Sequence, residues 1–124
     1  MEDILWSRIV GREAEFVERA LGGVKHDQGK PRMDLLDRHA LEQIAEVLGF
    51  GAEKYSAHNW RGGIAMSRLL GAALRHIHAH NDGEDTDAES GLSHLAHAGC
   101  CLMFALRMEK DRPDMDDRYK PPKE

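Results

Sequence analysis

A short acidic stretch at residues 83–91 carries the densest set of groups that could bind a metal ion. Four carboxylates fall within six consecutive positions, namely Glu84, Asp85, Asp87 and Glu89. Such oxygen ligands are preferred by hard cations such as Mg²⁺ and Mn²⁺, although the glycines are not spaced as in an EF-hand loop. The alternative is helix capping, because Thr86-x-x-Glu89 matches a capping box and Ser90 is a good cap.

A second group of carboxylates, Glu42, Glu46 and Glu53, recurs at helical spacing. At about 100° per residue, their offsets bring the three side chains to within roughly 40° of one line along a helix. Like charges at i, i+4 destabilise a helix by about 0.2–0.5 kcal/mol, so we expect a compensating metal ion or basic side chain. The alternative is an acidic helix face exposed to water.

His94 and His97 precede Cys101 at offsets that place all three side chains on one helix face. One interpretation is a zinc site, which usually draws a further ligand from a second segment. The other interpretation is a polar seam between packed helices. The zinc interpretation supports a function of another class, a non-catalytic metal-binding helical protein.

Several basic and aromatic residues could bind a nucleotide. Arg75 and His76 could meet a phosphate, because guanidinium binds oxyanions through paired hydrogen bonds. Their alternative role is to complement the dipole at a helix C-terminus. The polar loop at residues 25–34 surrounds Gly29, where the backbone can approach an anion closely, but it lacks the Walker A spacing. Trp60 could stack on a purine or anchor its loop to the core.

The elements that must position these residues are predicted to be helices. Apart from Pro31, every proline lies beyond residue 112, and Ala, Leu, Glu and Arg dominate the region between. We predict an all-α bundle of about four helices, at residues 3–21, 37–55, 67–80 and from 90 or 93 to 110. Ser67 is the predicted N-cap of the third helix. The charged tail at 111–124 is predicted to be frayed. The predicted apolar faces are Leu41, Ile44, Ala45 and Leu48; Leu70, Leu74 and Ile77; and Leu95, Leu102, Phe104, Ala105 and Met108.

The composition limits the function classes. The chain has 124 residues with 41% hydrophobic and 31% charged residues, which fits one folded domain at 1–124. A net charge of −5 argues against a nucleic-acid partner, and no apolar run reaches the ~20 residues of a membrane span. Adjacent Cys100 and Cys101 are too close for a relaxed disulfide, and the N-terminus lacks a secretory pattern. We therefore expect a cytoplasmic protein.

Taken together, these segments resemble the phage dATP/dGTP diphosphohydrolases, a MazG-like family of all-α nucleoside triphosphate pyrophosphohydrolases, most closely its MazZ-like branch. The resemblance covers roughly residues 25–106. Its motifs are Lys25-x-Asp27-x-Gly29-Lys30-Pro31-Arg32-x-Asp34-Leu35-Leu36, Ala40-Leu41, Gly51-Ala52-x-Lys54-Tyr55, Asn59-Trp60, Ala73-Leu74-Arg75-His76 and Gly83-Glu84-Asp85-x-Asp87-x-Glu89-Ser90-Gly91-x-x-His94-Leu95-Ala96-His97-Ala98.

The resemblance implies metal-dependent hydrolysis of a purine nucleoside triphosphate, most closely dGTP or GTP, to the monophosphate and pyrophosphate. In the MazZ-like branch this reaction feeds synthesis of a 2-aminoadenine nucleotide. The alternative is a broad or dATP-directed enzyme that cleans the nucleotide pool. The resemblance also implies a homodimer or homotetramer, located in the host cytoplasm if a phage encodes it.

The family's metal motifs are EExxE and ExxD. Here Gln43 replaces the second Glu of the first motif, and His94-x-x-His97 stands where ExxD would fall. The resemblance then implies two or three Mg²⁺ or Mn²⁺ ions, with Glu46 and Glu42 both as ligands and in catalysis. The further implied ligands are Asp85, Asp87, Glu89 and His94, and the implied substrate-binding residues are Lys25, Asp27, Lys30, Arg32, Lys54, Asn59, Trp60, Arg75 and His76.

Overall fold

The structure is a computed structural model, and it describes residues 22–123. This part of the chain contains α-helices and short 3₁₀ turns but no strand, which confirms the predicted all-α class. The first predicted helix, at residues 3–21, lies outside the described residues. The α-helices are α1 (Arg38–Lys54), α2 (Met66–Asn81) and α3 (His94–Asp111), and the 3₁₀ turns are Met33–Leu35, Asn59–Gly62 and Pro113–Met115.

The chain divides into two compact units, Met1–Leu35 and Leu36–Glu124. In the first unit, the backbone N–H of Lys30 donates to the carbonyl of Asp27 at 3.1 Å and closes a turn. Gly29 occupies this turn with a φ of +81°, a conformation that glycine adopts at little cost. The single domain predicted for residues 1–124 stays a prediction.

The ends of the helices are set by local signals that the sequence carries. The Asp37 side chain accepts from the N–H of Ala40 at 2.8 Å and caps α1. Ser93, one of the two predicted starts of the last helix, caps α3 by accepting from the N–H of Leu95. The predicted boundaries of both helices are therefore confirmed to within a few residues.

The C-terminus of α2 is a Schellman motif. Gly83 has a φ of +101°, its N–H donates to the carbonyl of His80, and the N–H of Glu84 donates to that of Ala79. The predicted stop at Asn81-Asp82-Gly83 is therefore confirmed, and the chain leaves α2 directly into the acidic stretch.

The predicted N-cap of α2 was wrong. The helix begins at Met66, after Ala65, and Ser67 lies in its first turn. The Ser67 N–H instead donates to the Asp117 carboxylate at 2.8 Å, and the Ser67 hydroxyl donates to the same side chain. The carboxylate of Asp117, which lies in the C-terminal tail, thus caps the start of α2 in place of a residue that precedes the helix.

The same bonds correct the predicted fraying of the tail. Besides Asp117, Arg112 anchors the tail by donating to the Gly62 carbonyl at 2.6 Å. Gly63 makes room for this guanidinium, since a Cβ there would lie 2.8 Å from Arg112 Nη1. None of the helices in the described residues is long and apolar enough to cross a membrane.

The core lies where α3 packs against α2 and α1. Its larger cluster joins buried side chains of α2 and α3, and its smaller one joins α1 and α3. Phe104 packs against both clusters. The buried members are Met66, Leu69, Ala105 and Met108 in the first cluster and Val47, Ala96 and Cys100 in the second.

The apolar face predicted for α2 is correct for Leu70, which packs against the larger cluster, and wrong for its other two members. Leu74 and Ile77 are 54% and 40% exposed, whereas Met66, Leu69 and Ala73 are buried. The cause is that α2 is apolar on two adjacent sides, and only one of them can face α3 within one chain.

The faces predicted for the other helices are partly correct. On α3, Ala105 and Met108 are buried, Phe104 is half-buried, but Leu95 and Leu102 are exposed. On α1, Ile44 and Leu48 pack against the smaller cluster, whereas Leu41 and Ala45 are exposed, and the unpredicted Val47 is buried.

Candidate metal and phosphate site

The acidic stretch folds back onto the start of α3. The N–H of His94 donates to the Asp85 carbonyl at 3.0 Å, and the N–H of Asp87 donates to the Leu92 carbonyl at 2.8 Å. Because α2 ends immediately before this stretch, the loop brings the end of α2 and the first turn of α3 to one place. Side chains that are far apart in sequence can therefore meet there.

Asp87 organises the loop. Its Oδ2 accepts from the N–H groups of Glu89 and Ser90 at 3.1 and 3.0 Å. The hydrogen bond from the Ser90 backbone is the main reason that the pKa of Asp87 is lowered, so this carboxylate is ionised at neutral pH. The alternative capping box at Thr86 was wrong, because Asp87 satisfies these N–H groups and no helix begins at this point.

Two histidines face each other beside Asp87. His76 Nδ1 and His94 Nδ1 are 2.8 Å apart, so one ring must donate a proton to the other when only these two groups interact. His94 is 5% exposed, which makes it the one buried polar side chain among the described residues. One possible ligand atom from each of His76, Asp87 and His94 lies within 4.8 Å of the other two.

His97 supports this group from the next turn of α3. Its ring stacks on His76 with centroids 4.6 Å apart, and its Nε2 lies 2.7 Å from Ser90 Oγ. Burial lowers the pKa of both His76 and His97, so both imidazoles are neutral at pH 7. Neutral imidazole is the form that binds metal ions.

The far nitrogen of His94 has a carboxylate beside it. His94 Nε2 is 3.4 Å from Glu84 Oε1, yet it makes no hydrogen bond within residues 22–123. We regard the pair as a close approach that falls short of a hydrogen bond, because the separation exceeds the usual N–H···O range. A buried polar nitrogen without a hydrogen-bond partner is rare in folded proteins, so His94 Nε2 is free to bond to a further group.

The three side chains fit a divalent cation. Imidazole nitrogens bind at about 2.0–2.1 Å, so two of them at right angles on one octahedral ion are about 2.8–3.0 Å apart, compared with about 3.3–3.4 Å on a tetrahedral ion. The observed 2.8 Å between the two Nδ1 atoms is close to the octahedral value. In the described residues this is the one group of at least three His, Cys, Asp or Glu side chains that could share an ion.

Most ligands expected from the sequence do not join this group. Glu42 binds Arg38 at 2.7 Å, so a basic side chain provides the compensating charge that was expected. Glu46 is exposed on α1, and Cys101 is outside the group, which leaves no zinc set of His94, His97 and Cys101 in the described residues. Of the expected ligands, Asp87 and His94 belong to the group, whereas Glu42, Glu46, Asp85 and Glu89 do not.

A cavity of about 1170 Å³ opens between the C-terminal half of α1, the segment that follows it, α2 and α3. Small-ligand pockets are typically about 300–1,000 Å³, so a nucleotide would fit. Four of the expected substrate-binding residues line it, and His76 does not. The lining includes the expected Lys54, Asn59, Trp60 and Arg75 and the unexpected Arg61, Arg68 and His97.

Trp60 anchors its segment to the core, which was one of the two roles predicted for it. Its ring stacks on Phe104 with centroids 4.3 Å apart and an interplanar angle of 17°. The Arg61 guanidinium lies 4.4 Å from the Trp60 ring centroid. The indole thus holds both an aromatic and a cation at the cavity wall.

Lys54 links the cavity to the acidic loop. Its Nζ binds Glu89 Oε1 at 2.6 Å, and this hydrogen bond raises the pKa of Lys54. The expected ligand Glu89 and the expected phosphate contact Lys54 therefore neutralise each other in the structure. Both side chains are substantially exposed, so a phosphate can compete for the ammonium group.

The remaining expected substrate contacts lie in the first unit. Lys25, Asp27, Lys30 and Arg32 are all exposed. The Arg32 guanidinium makes two hydrogen bonds to Asp34, at 2.8 and 2.6 Å. Substrate binding by these four residues stays a prediction.

The role of Glu84 beside His94, and the place of His76 next to possible ligands, were missed from the sequence. The signal was the pair of histidine motifs on either side of a short loop, Arg75-His76 before it and His94-x-x-His97 after it. Only the loop closure at Asp85 and Asp87 brings them together.

Comparison with known proteins identifies the family. A protein of Salmonella phage PMBT28 named "dATP/dGTP diphosphohydrolase" is 43% identical over 96 residues, which are 77% of this chain and 33% of the phage protein. The chain therefore spans about a third of the length of this curated relative. No solved structure matches the chain.

The family profile described as "dATP/dGTP diphosphohydrolase, N-terminal" matches residues 21–118. That range includes all of α1, α2 and α3 and the acidic loop. The match confirms the resemblance that the sequence motifs indicated. This chain belongs to the dATP/dGTP diphosphohydrolase family.

Proposed function

We propose that this chain hydrolyses a purine nucleoside triphosphate, with dGTP or GTP preferred, to the nucleoside monophosphate and pyrophosphate. The related phage protein carries a name that includes both dATP and dGTP, which supports a purine deoxynucleotide as substrate. The chain corresponds to only part of that protein, and its own cavity and charged side chains support the same activity.

One observation carries the proposal. His97 lines the cavity and also stacks on His76, which faces His94. A nucleotide bound in the cavity would therefore extend toward the side chains that can hold a metal ion. Hydrolysis of a bound triphosphate requires that the cavity that binds the nucleotide adjoin the groups that take part in the reaction.

The reaction balances without a further reactant. A water oxygen forms a bond to the α-phosphorus and loses a proton to solvent, the bond from that phosphorus to the bridging oxygen breaks, and pyrophosphate leaves with the bonding electrons. A divalent ion bound at the site would lower the pKa of a bound water and offset charge on the phosphate oxygens. The chain's own residues bind the nucleotide and fix its direction.

The charges of the cavity fit a triphosphate tail. Arg75, Arg61 and Arg68 line it together with Lys54, and guanidinium groups bind phosphate oxygens in pairs. The apolar wall near Trp60 and Phe104 suits the purine, with Asn59 able to bond to its edge or to the sugar. Lys25, Asp27, Lys30 and Arg32 belong to the other compact unit, and their role in substrate binding is proposed on the evidence of the family motifs alone.

The metal requirement is part of the proposal. We expect Mg²⁺ or Mn²⁺, with two or three ions per site, and His76, Asp87 and His94 are the described side chains that fit one of them. Further ions would need other ligands, and the roles expected for Glu42, Glu46, Asp85 and Glu89 stay predictions. Glu46 and Glu42 lie on an exposed face of α1.

The choice of substrate has a metabolic consequence. An enzyme that converts dGTP to dGMP would supply the monophosphate from which a 2-aminoadenine nucleotide can be made. A dATP-directed or broad activity would instead clean the nucleotide pool. A panel of substrates separates these two roles, and we expect the cytoplasm to be the place of either reaction.

We also propose that the chain forms a homodimer or homotetramer. Exposed leucines recur on one side of α3 and exposed apolar residues on α2, and apolar surface of this kind usually marks an interface. Light scattering should give a multiple of 13.9 kDa, and Leu102→Lys should lower the mass. A 13.9 kDa monomer would contradict the proposal. The exposed apolar residues proposed for this interface are Leu95, Leu102 and Leu106 on α3 and Leu74 and Ile77 on α2.

The decisive experiment is incubation of the chain with each NTP and dNTP in the presence of Mn²⁺, with separation of the products. We expect dGTP and GTP to give the monophosphate and pyrophosphate in equal amounts. Release of single phosphates in succession, or hydrolysis of none of the purine triphosphates, would contradict the proposal.

A matched pair of variants tests the cavity. Arg75→Ala should raise the KM for dGTP at least about tenfold, because a charge-assisted bond to phosphate is worth about 1.5–3 kcal/mol. Arg107→Ala removes an arginine of α3 that pairs with Asp111 and does not line the cavity, so its KM should match that of the wild type. An equal effect of both variants would place the phosphate elsewhere.

A further inference from the structure

We propose that His76, Asp87 and His94 form a binding site for a transition-metal ion, held in place by Glu84, and that this site prefers Mn²⁺, Co²⁺, Fe²⁺ or Zn²⁺ to Mg²⁺. The inference rests on the proposed function only for the use of the ion in hydrolysis. Binding itself follows from the geometry of the described residues.

The first argument is the choice of donor atoms. Two imidazole nitrogens and one carboxylate oxygen make a mixed set, whereas Mg²⁺ is bound mainly by oxygen and keeps several waters. The family resemblance led us to expect mostly carboxylates with His94, but only one of the three side chains in the group is a carboxylate. Imidazole-rich sets favour first-row transition metals over Mg²⁺.

The second argument is the arrangement of the two imidazoles. Both Nδ1 atoms point to the same place from two different helices, at a separation of 2.8 Å. One of the two Nδ1 atoms must carry a proton to make this hydrogen bond, whereas a metal ion between them would accept a lone pair from both. The rings reach this geometry without moving far, because the spacing of two imidazole nitrogens is about 2.8–3.0 Å on an octahedral ion and about 3.3–3.4 Å on a tetrahedral one.

The third argument is the buried far side of His94. When Nδ1 of a histidine binds a metal, Nε2 carries a proton and usually donates it to a carboxylate, which fixes the ring. His94 Nε2 has no hydrogen-bond partner in residues 22–123, and Glu84 Oε1 is 3.4 Å away. A small movement of the exposed Glu84 side chain would complete that bond. Glu84 is therefore a positioning residue.

Asp87 is suited to supply the third ligand. Both of its hydrogen bonds to backbone N–H groups end on Oδ2, so the loop is held by one oxygen of the carboxylate. An amide at this position keeps such an acceptor oxygen but loses the negative charge. Asp87→Asn consequently separates metal binding from folding of the loop.

Titration with Co²⁺ in the absence of nucleotide tests the site, because bound Co²⁺ shows visible absorption bands that depend on its ligands. We expect the wild type to develop these bands and Mg²⁺ to displace Co²⁺ only at about 100-fold excess or more. Asp87→Asn and His94→Gln should each weaken Co²⁺ binding at least about tenfold. His78→Gln, which changes an exposed histidine of α2 outside the group, should bind as the wild type does.

The possible results are distinct. Far-UV circular dichroism identifies a misfolded variant, and if His94→Gln does not fold, Asp87→Asn alone decides. Unchanged Co²⁺ affinity in a folded Asp87→Asn, absence of Co²⁺ bands in the wild type, or displacement by equimolar Mg²⁺ would each overturn the proposal. Tight Co²⁺ binding without nucleotide hydrolysis would support this site while contradicting the proposed function, and hydrolysis without Co²⁺ binding would do the reverse.

Discussion

The exposed face of α1 and the buried start of α3 carry similar chemistry in the sequence but differ in the structure. On α1, Glu42 and Glu46 point into solvent, and Glu42 pairs with Arg38 of the same helix. On α3, His94 is buried and meets His76 of another helix beside Asp87. Residue type and spacing identify side chains that can react, but burial and contacts between segments determine which of these side chains come together in a site.

Thiol reactivity offers the largest effect of burial on α3. Burial raises the pKa of Cys100 to about 12, so its thiolate fraction at pH 8 is about a thousandfold below that of an ordinary cysteine. In Cys101→Ser, which leaves one thiol in the chain, alkylation at pH 8 should be at least that much slower than in denaturant. The alkylation rate of the folded chain should still increase with pH at pH 10, because the pKa of Cys100 lies above that pH. Equal rates in the folded and unfolded chain would show that this part of α3 is open to solvent.

Paired carboxylate variants compare the two regions directly. Asp87→Asn should lower the rate of pyrophosphate release from dGTP at least about 100-fold, because loss of a ligand exceeds the 10–100-fold effect typical of residues behind a metal. We expect Glu46→Gln, which changes an exposed carboxylate of α1 outside the His76–Asp87–His94 group, to lower this rate less than Asp87→Asn does. A large loss in Glu46→Gln and none in Asp87→Asn would move the metal site to α1.

Glu84 should have an intermediate effect, because it acts on the ion through His94. We expect Glu84→Gln to weaken Mn²⁺ binding about tenfold, since an amide oxygen accepts the His94 N–H less strongly than a carboxylate. Glu53→Gln removes an exposed carboxylate of α1 and serves as the control. Isothermal titration with Mn²⁺ measures both, and equal affinities would exclude a positioning role for Glu84.

The smallest effect is expected on the exposed face of α1. The Arg38–Glu42 pair is an i, i+4 pair with highly exposed side chains, and such pairs contribute about 0.3–0.5 kcal/mol. Glu42→Gln should therefore lower the free energy of unfolding by no more than about 0.5 kcal/mol in urea denaturation. A loss above about 2 kcal/mol would mean that Glu42 has partners beyond Arg38 and that α1 is not a simple solvent-exposed face.

The sequence predicted features whose causes are local. Asp37, Gly83 and Ser93 set helix ends through contacts within a few residues, so the predicted boundaries were close. The buried side of α2 was not predictable in the same way. Leu74 and Ile77 are as apolar as Leu69 and Met66, and only packing against α3 determines which pair is buried.

The candidate site shows the same division. The acidic loop, the histidines of α3 and the basic residues at the end of α2 were all identified from residue types. Their grouping depends on a loop closure and on a contact between His76 and His94, which are 18 positions apart. A single sequence gives no direct signal of such a contact, and the family motifs led us to place two of the expected ligands, Glu42 and Glu46, on α1.

The location of a bound metal ion is the most direct test of this assignment. A crystal of the chain grown with Mn²⁺ and measured at the manganese absorption edge would show the ion as an anomalous difference peak. We expect a peak in contact with His76, Asp87 and His94. A peak on the carboxylates of Glu42 and Glu46, with none at the histidines, would contradict the assignment.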